Sequence, residues 1–154
     1  MAERPIAVIA GGGGQLGHAL QRHAGADAYR VVAAGRGELD ISDAAAAYAL
    51  CRRLRPRVVI NAAAYTAVDQ AESDTTTAFA VNAEGAGNLA SAAAEVGARV
   101  VHVSTDFVFG GEKGSPYAPD DEPRPVNVYG RSKLEGERRV LAEALEHELT
   151  LQED

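Results

Sequence analysis

Ile6-Ala7-Val8-Ile9-Ala10-Gly11-Gly12-Gly13-Gly14-Gln15-Leu16-Gly17 carries a short apolar run into four consecutive glycines and then into a helical pattern. An uninterrupted apolar run with β-branched residues predicts a strand buried on both faces, the kind found in parallel sheets. From Gln15 onward Leu16, Ala19, Leu20 and His23 fall on one side of a helix, which puts the glycines at a strand-to-helix junction. Gly11, Gly14 and Gly17 are spaced Gly-x-x-Gly-x-x-Gly. Such a turn lets backbone N–H groups approach a pyrophosphate at the helix N-terminus, where the helix dipole favours negative charge. Dinucleotide binding at Gly11 and Gly14 is the expectation, with a plain connecting loop as the alternative.

The same alternation continues downstream. Tyr29 to Ala34 predicts a second strand, Ala44 to Leu54 a helix with Ser42 and Asp43 as N-cap residues, and Val58 to Asn61 a third buried strand after Arg55-Pro56. Thr75 to Val96 reads as one long helix with Gly85 and Gly87 inside it, which imply a close approach or a bend. Gly97 is a C-cap, and Val100 to Val103 is the fourth strand. Phe107 to Asn127, with its prolines, glycines and Asp120-Asp121-Glu122, is a long loop expected to cover a ligand or to move. The last helix opens at Tyr129. Strand and helix in turn predict an α/β fold, a doubly wound parallel sheet with right-handed crossovers.

Ligands of such sheets bind beyond the carboxyl ends of the strands. After the second strand the sequence offers Gly35-Arg36-Gly37 where an acid would favour NAD. Arg36 is placed to hold a 2′-phosphate, or is an ordinary solvated arginine on a turn. After the third strand, Asn61-Ala62-Ala63-Ala64-Tyr65-Thr66 supplies small side chains that either leave room for a cofactor or pack a helix tightly on the sheet.

The chemistry is expected in Val128-Tyr129-Gly130-Arg131-Ser132-Lys133. Tyr129 and Lys133 lie four apart, on one face of a helix. A phenol with a reference pKa of about 10 is a poor proton shuttle at neutral pH, and an ammonium group beside it favours the phenolate. Thr105 ends the fourth strand, so a hydroxyl, a phenol and an ammonium group converge at one edge of the sheet. That set suits carbonyl reduction with a hydride from a nicotinamide: Thr105 holds the carbonyl oxygen, Tyr129 protonates it, and Lys133 tunes Tyr129 and holds the ribose.

Composition bounds the partners. The chain has 154 residues, 46% of them hydrophobic, which suits one domain burying roughly two thirds of its unfolded surface. Its net charge of −7, without a long run of Lys or Arg, argues against nucleic acid and anionic membranes and for small molecules. The lone cysteine, Cys51, reads as a small core residue and suits a reducing compartment. Met1 to Pro5 lacks the pattern of a leader, no apolar run approaches the roughly 20 residues of a membrane helix, and the cytoplasm is the expected location. His102 reads as a packed residue, with no second ligand placed to complete a metal site, so no metal is expected.

Together, the glycine turn, Asn61 to Asp69, Val81-Asn82-Ala83-Glu84, Ser104-Thr105-Asp106 and Val128 to Lys133 resemble the extended short-chain dehydrogenase/reductases, and among them the dTDP-4-dehydrorhamnose reductases, from about Pro5 to Ala144. The resemblance implies a Rossmann-like, NAD(P)-binding domain over residues 1–154, without the C-terminal substrate domain of that family. It implies NADPH or NADH as cofactor and a nucleotide-sugar substrate, dTDP-4-dehydro-L-rhamnose. Carried over by position, it implies cofactor contacts at Gly14, Gln15, Leu16, Asp40, Ile41, Ala64, Tyr65, Thr66, Tyr129 and Lys133, with Thr105, Asp106 and Tyr129 facing the sugar. Ala10, Phe107 and Gly110 depart from the family pattern, where Thr, Tyr and Asp are common. The fold also resembles a regulatory subunit of methionine adenosyltransferase, which implies a non-catalytic dinucleotide-binding module as the alternative function. An uncovered sheet edge leads to an expected homodimer or other self-association.

Overall fold

A computed structural model describes residues 3–23 and 28–152. Met1 and Ala2, at the start read as carrying no leader, lie outside the described residues.

The core is a four-stranded parallel sheet in the order β2-β1-β3-β4, from β1 (Ile6–Ala10), β2 (Arg30–Ala34), β3 (Val58–Asn61) and β4 (Arg99–His102). Central β1 is apolar throughout because both its faces are covered: Val8, Ile9 and Ala10 are fully buried. The connecting helices are α1 (Gln15–His23), α2 (Ala44–Leu54), α3 (Val68–Ala71), α4 (Thr75–Phe79), α5 (Ala86–Glu95) and α6 (Val128–Gln152). Val8, Ala10, Ala34 and Val59 pack with Ala47, Leu50 and Cys51 of α2 and Leu89, Ala92 and Ala93 of α5 in one cluster. Strand order and right-handed crossovers put α1 on the opposite face. The doubly wound, Rossmann-like sheet expected from the alternation is therefore the fold.

Local signals explain most of the boundaries. Asp43 caps α2 by accepting the Ala46 N–H at 3.2 Å. Gly11 takes φ +81°, and a Cβ there would stand 2.6 Å from the Ala63 nitrogen, so the first turn demands glycine. Besides one-residue shifts at the starts of β2 (Arg30, not Tyr29) and α6 (Val128, not Tyr129), four features differ from the sequence reading. Leu16 and His23 are exposed instead of packed, Leu16 at 41%, and among the described residues of α1 only Gly17 is buried; close approach to the glycine turn through that residue, not an apolar stripe, seats this helix. The fourth strand begins one residue earlier, at Arg99. A short helix, α3, follows the third strand. Finally, the long helix over 75–96 is interrupted by a π-helical segment, Ala80–Gly85.

That interruption has a packing reason. A π turn widens the helix and shifts which residues face a neighbour, and here α6 lies across it. A Cβ on Gly136 of α6 would collide with the Asn82 carbonyl oxygen, and one on Gly85 would stand 2.7 Å from the Ile41 side chain. The glycines at 85 and 87 thus mark a close approach, as their positions imply: Gly87 faces the Arg139 side chain. The Phe107 to Asn127 segment begins with a 3-10 turn, Asp106–Val108, and is tied internally by stacked Phe109 and Tyr117, 4.3 Å apart, and by Lys113–Asp121 at 2.5 Å. Toward β4 the α1 face of the sheet opens, and Val101 is 50% exposed.

Gly136→Ala is expected to destabilise the fold by about 1–3 kcal/mol, the usual cost of forcing a methyl group into a packed contact. Chemical denaturation reads this directly, and an unchanged midpoint would show that α6 does not depend on that approach.

Candidate active site

The glycine turn, the end of β2 and the segment after β3 meet at the carboxyl edge of the sheet around a cavity of about 540 Å³. Gly11, Gly14, Arg36, Asp40, Ile41, Ala64, Tyr65 and Thr66 line it, all of them expected from sequence. Gly13, Leu39, Ala62, Ala63, Ala67, Gln70 and Val81 line it as well. The small residues 62–64 therefore leave room for a ligand. Gln15 and Leu16 are exposed at the start of α1 and lie outside the lining. So do Thr105, Asp106, Tyr129 and Lys133.

At the rim, the Arg36 guanidinium is 79% exposed and stands 3.9 Å from the Asp40 carboxylate. Asp40 accepts the Ser42 hydroxyl at 2.6 Å and the Ser42 N–H at 3.0 Å, and these bonds hold its carboxyl below the ordinary aspartate range. The turn after β2 does carry an acid: Glu38 accepts the Gly35 N–H at 2.6 Å. Its carboxylate is thus engaged by the turn itself.

The residues expected to do chemistry lie beside this cavity, on the β4 end and α6. Glu72 accepts the Val128 N–H at 2.7 Å and Asn127 accepts the Gly130 N–H at 2.7 Å, so two side chains cap the helix that presents Tyr129. The Tyr129 ring is 8% exposed, sits in a cluster with Val128, Ala71, Ala78, Tyr65 and Phe79, and meets Phe107 edge-on at 5.5 Å. Its hydroxyl makes no hydrogen bond among the described residues. Lys133 is 3% exposed and donates to the Val103 carbonyl at 2.6 Å; burial pushes its ammonium group below the ordinary lysine range, and the Glu137 carboxylate pulls it partly back. Glu137 in turn accepts the Ser104 hydroxyl. Thr105 accepts the Phe107 N–H at 3.2 Å and caps the 3-10 turn that carries Asp106.

One residue joins the two halves of the site. Asn82 accepts the Tyr65 N–H at 2.8 Å and donates to the Tyr65 carbonyl and to the Ser132 hydroxyl, both at 3.0 Å, while Ser132 donates to the Tyr129 carbonyl at 2.8 Å. Tyr65 of the cavity and Tyr129 of α6 are thus linked through a fully buried amide. The motif Val81 to Glu84 is visible in the sequence, but the role of Asn82 is not, because its partners lie 17 and 50 residues away. Among the described residues no three His, Cys, Asp or Glu side chains are grouped to hold a metal. No helix among them is long and apolar enough to cross a membrane.

A family model described as the RmlD substrate binding domain matches residues 6–150. The chain belongs to this family. The dTDP-4-dehydrorhamnose reductase of Mycobacterium tuberculosis H37Rv is 51% identical over 139 residues, covering 88% of this chain and 45% of that protein. That of Streptomyces griseus is 46% identical over 138 residues, covering 90% of this chain and 45% of that protein. Among solved structures, the Bacillus anthracis dTDP-4-dehydrorhamnose reductase in complex with NADP superposes with a TM-score of 0.89 at 38% identity, covering 92% of this chain and 51% of that one. The Clostridium acetobutylicum dTDP-4-dehydrorhamnose reductase gives 0.87 at 42%, covering 89% and 49%. The chain spans about half the length of the curated relatives it matches.

Beside Lys133, His102 has a defined protonation state. Asn61 Oδ1 accepts the Ala63 N–H, which leaves its amide nitrogen to donate to His102 Nδ1 at 3.1 Å; the ring proton then sits on Nε2, a buried atom without a partner among the described residues. Burial first, and the Lys133 charge second, lower the His102 pKa from 6.5 to about 4. Between those values the unfolded chain takes up a proton that the folded chain refuses, so stability falls as pH drops through that window. His102→Leu is expected to flatten the pH dependence of the denaturation midpoint there, and an unchanged slope would assign it to other groups.

Proposed function

We propose that this chain is the dinucleotide-binding domain, over residues 1–154, of an NAD(P)H-dependent reductase that converts the 4-keto group of dTDP-4-dehydro-L-rhamnose to the alcohol of dTDP-L-rhamnose. The observation that carries this reading is the coupling of a glycine-lined cavity, through Asn82, to a helix that presents Tyr129 and Lys133. The names of the relatives, and NADP in one of their structures, support it.

The cavity fits a dinucleotide. The N–H groups of Gly11 and Gly12 are taken by the Ala34 carbonyl and that of Gly14 by the Gly11 carbonyl, while that of Gly13 has no partner among the described residues; a Cβ at Gly13 would meet nothing within 4 Å, so a pyrophosphate can approach there, and the start of α1 adds its dipole. Gly11, Gly14, Gln15 and Leu16 would hold the pyrophosphate end, Asp40 and Ile41 the adenosine side, and Ala64, Tyr65 and Thr66 the middle. The cofactor supplies the hydride. Thr105 holds the substrate carbonyl oxygen, Tyr129 donates a proton to that oxygen, Asp106 contacts the sugar, and Lys133 holds the ribose and favours the phenolate left on Tyr129. The hydroxyl of Tyr129, without a hydrogen-bond partner among the described residues, is available for that transfer. Because Lys133 is anchored to Val103 next to Ser104-Thr105, it also fixes the spacing between α6 and the end of β4.

A second reading is a dinucleotide-binding module without turnover, and one observation favours it: none of Thr105, Tyr129 and Lys133 lines the cavity of this chain. A dinucleotide titration combined with a turnover assay separates the two. Substrate orientation is worth roughly 7–11 kcal/mol of barrier, so residues 1–154 assayed by themselves, which span about half the length of the relatives, are expected to turn over slowly. Whatever rate the chain supports should fall at least about 100-fold in Tyr129→Phe with cofactor affinity nearly intact. Parental turnover in that variant would remove Tyr129 as the proton donor.

Cofactor choice rests on Arg36. NADP(H) is expected to bind at least as well as NAD(H), and Arg36→Ala to lower the ratio of the two affinities; an unchanged ratio leaves Arg36 a solvated side chain. Self-association, as a homodimer or larger, is supported by β4 standing at a sheet edge among the described residues and by exposed Val101. Light scattering is expected to give more than the monomer mass, and a clean monomer would refute it.

A further inference from the structure

The sequence carries no long basic run, yet the fold gathers arginines at the pole opposite the glycine turn. A cavity of about 460 Å³ opens at the amino ends of the strands, lined by Arg55, Arg57 and Arg99 with Pro5, Pro56 and Gly97 among its other walls. That volume lies within the roughly 300–1,000 Å³ range of small-molecule sites. Arg57 immediately precedes β3 and Arg99 opens the neighbouring β4, the Arg99 N–H bonded to the Arg57 carbonyl at 3.1 Å. Arg55 precedes them in a left-handed backbone conformation, φ 45°, which its N–H bond to Cys51 at the end of α2 holds in place.

Among the described residues none of these three guanidinium groups has an ion-pair partner. Like charges on adjacent strands repel one another, and a chain of net charge −7 has acids enough to neutralise them. The nearest acid on α5, Glu95, is instead held by Arg52 through two bonds of 2.6 and 2.9 Å. Glu3 and Arg4, just before Pro5, add no net charge. The C-termini of α2 and α5 point toward this pole and oppose an anion, each with roughly half a charge. Several of their last carbonyls are already covered, by the N–H groups of Arg55, Val96, Gly97 and Ala98. Three full positive charges outweigh that opposition.

We propose that this cavity binds a small oligophosphate anion, of the pyrophosphate or nucleoside-diphosphate type, at a site separate from the dinucleotide cavity. Guanidinium forks match phosphate oxygens in pairs, and three of them suit the charge of a diphosphate better than that of a single carboxylate.

The test is a titration of the chain with inorganic pyrophosphate, followed by the backbone amide NMR signals. The amides of Arg55, Arg57 and residues 96–99 should shift and saturate. Arg57→Ala combined with Arg99→Ala should weaken binding at least about tenfold, both side chains being exposed and unpaired and so dispensable for folding. Arg55 is left intact because its backbone caps α2. An undiminished affinity in the double variant overturns the site. So do shifts confined to residues 11–15, which would place the anion at the glycine turn, and shifts that never saturate, which would mean diffuse screening. Tighter binding of a single-stranded oligonucleotide than of pyrophosphate to the same residues would make the patch a nucleic-acid surface and overturn the small-anion assignment.

Discussion

The carboxamide of Asn82 bonds to the backbone of Tyr65 on both sides and to the Ser132 hydroxyl, and the relation between the ligand cavity and α6 depends on it. At 2% exposure, water cannot replace these bonds, and each polar group left unsatisfied would cost about 1–3 kcal/mol. The amide can reach both partners because the π-helical segment and Gly136 let two helices approach at backbone distance. Glu72 and Asn127 then fix the first turn of α6. A segment of sequence that reads as an ordinary helix is thereby the joint between binding and chemistry.

Lys133 shows how burial redirects a charged group. An ammonium group this deeply buried needs partners, and it takes the Val103 carbonyl with Glu137 as a nearby opposite charge. That bond pins α6 to the end of β4. His102, next to it, stays neutral for the same reason that Lys133 is held below its ordinary range: little water is available to solvate either charge. The two groups share one poorly solvated corner, and the Lys133 charge adds to burial in disfavouring a second charge on His102.

Electrostatic character in this molecule is a matter of distribution more than of sum. The carboxyl edge of the sheet joins small side chains, glycine N–H groups and a single exposed arginine, while the amino edge collects arginines from the α2–β3 turn and the start of β4. A net charge of −7 describes neither place. Chain-wide charge bears on long-range encounter, and a bound anion responds to the groups within a few ångströms.

The sequence by itself determined the sheet, the glycine turn and the cavity floor, because each depends on neighbours in the chain. Apolar runs make β1 and β3, Asp43 caps the helix that follows it, and Gly11 and Gly14 curve the backbone where they stand. Eight of the residues expected to contact a cofactor line the cavity, five of them expected through the family resemblance. Only the tertiary structure decided the rest. The π interruption, the partners of Asn82, the anchoring of Lys133 to Val103 and the meeting of Arg99 with Arg55 and Arg57 all arise between segments well separated in the chain. Leu16 shows the limit in the other direction: helical periodicity says which side chains share a face, and only packing says whether anything covers it.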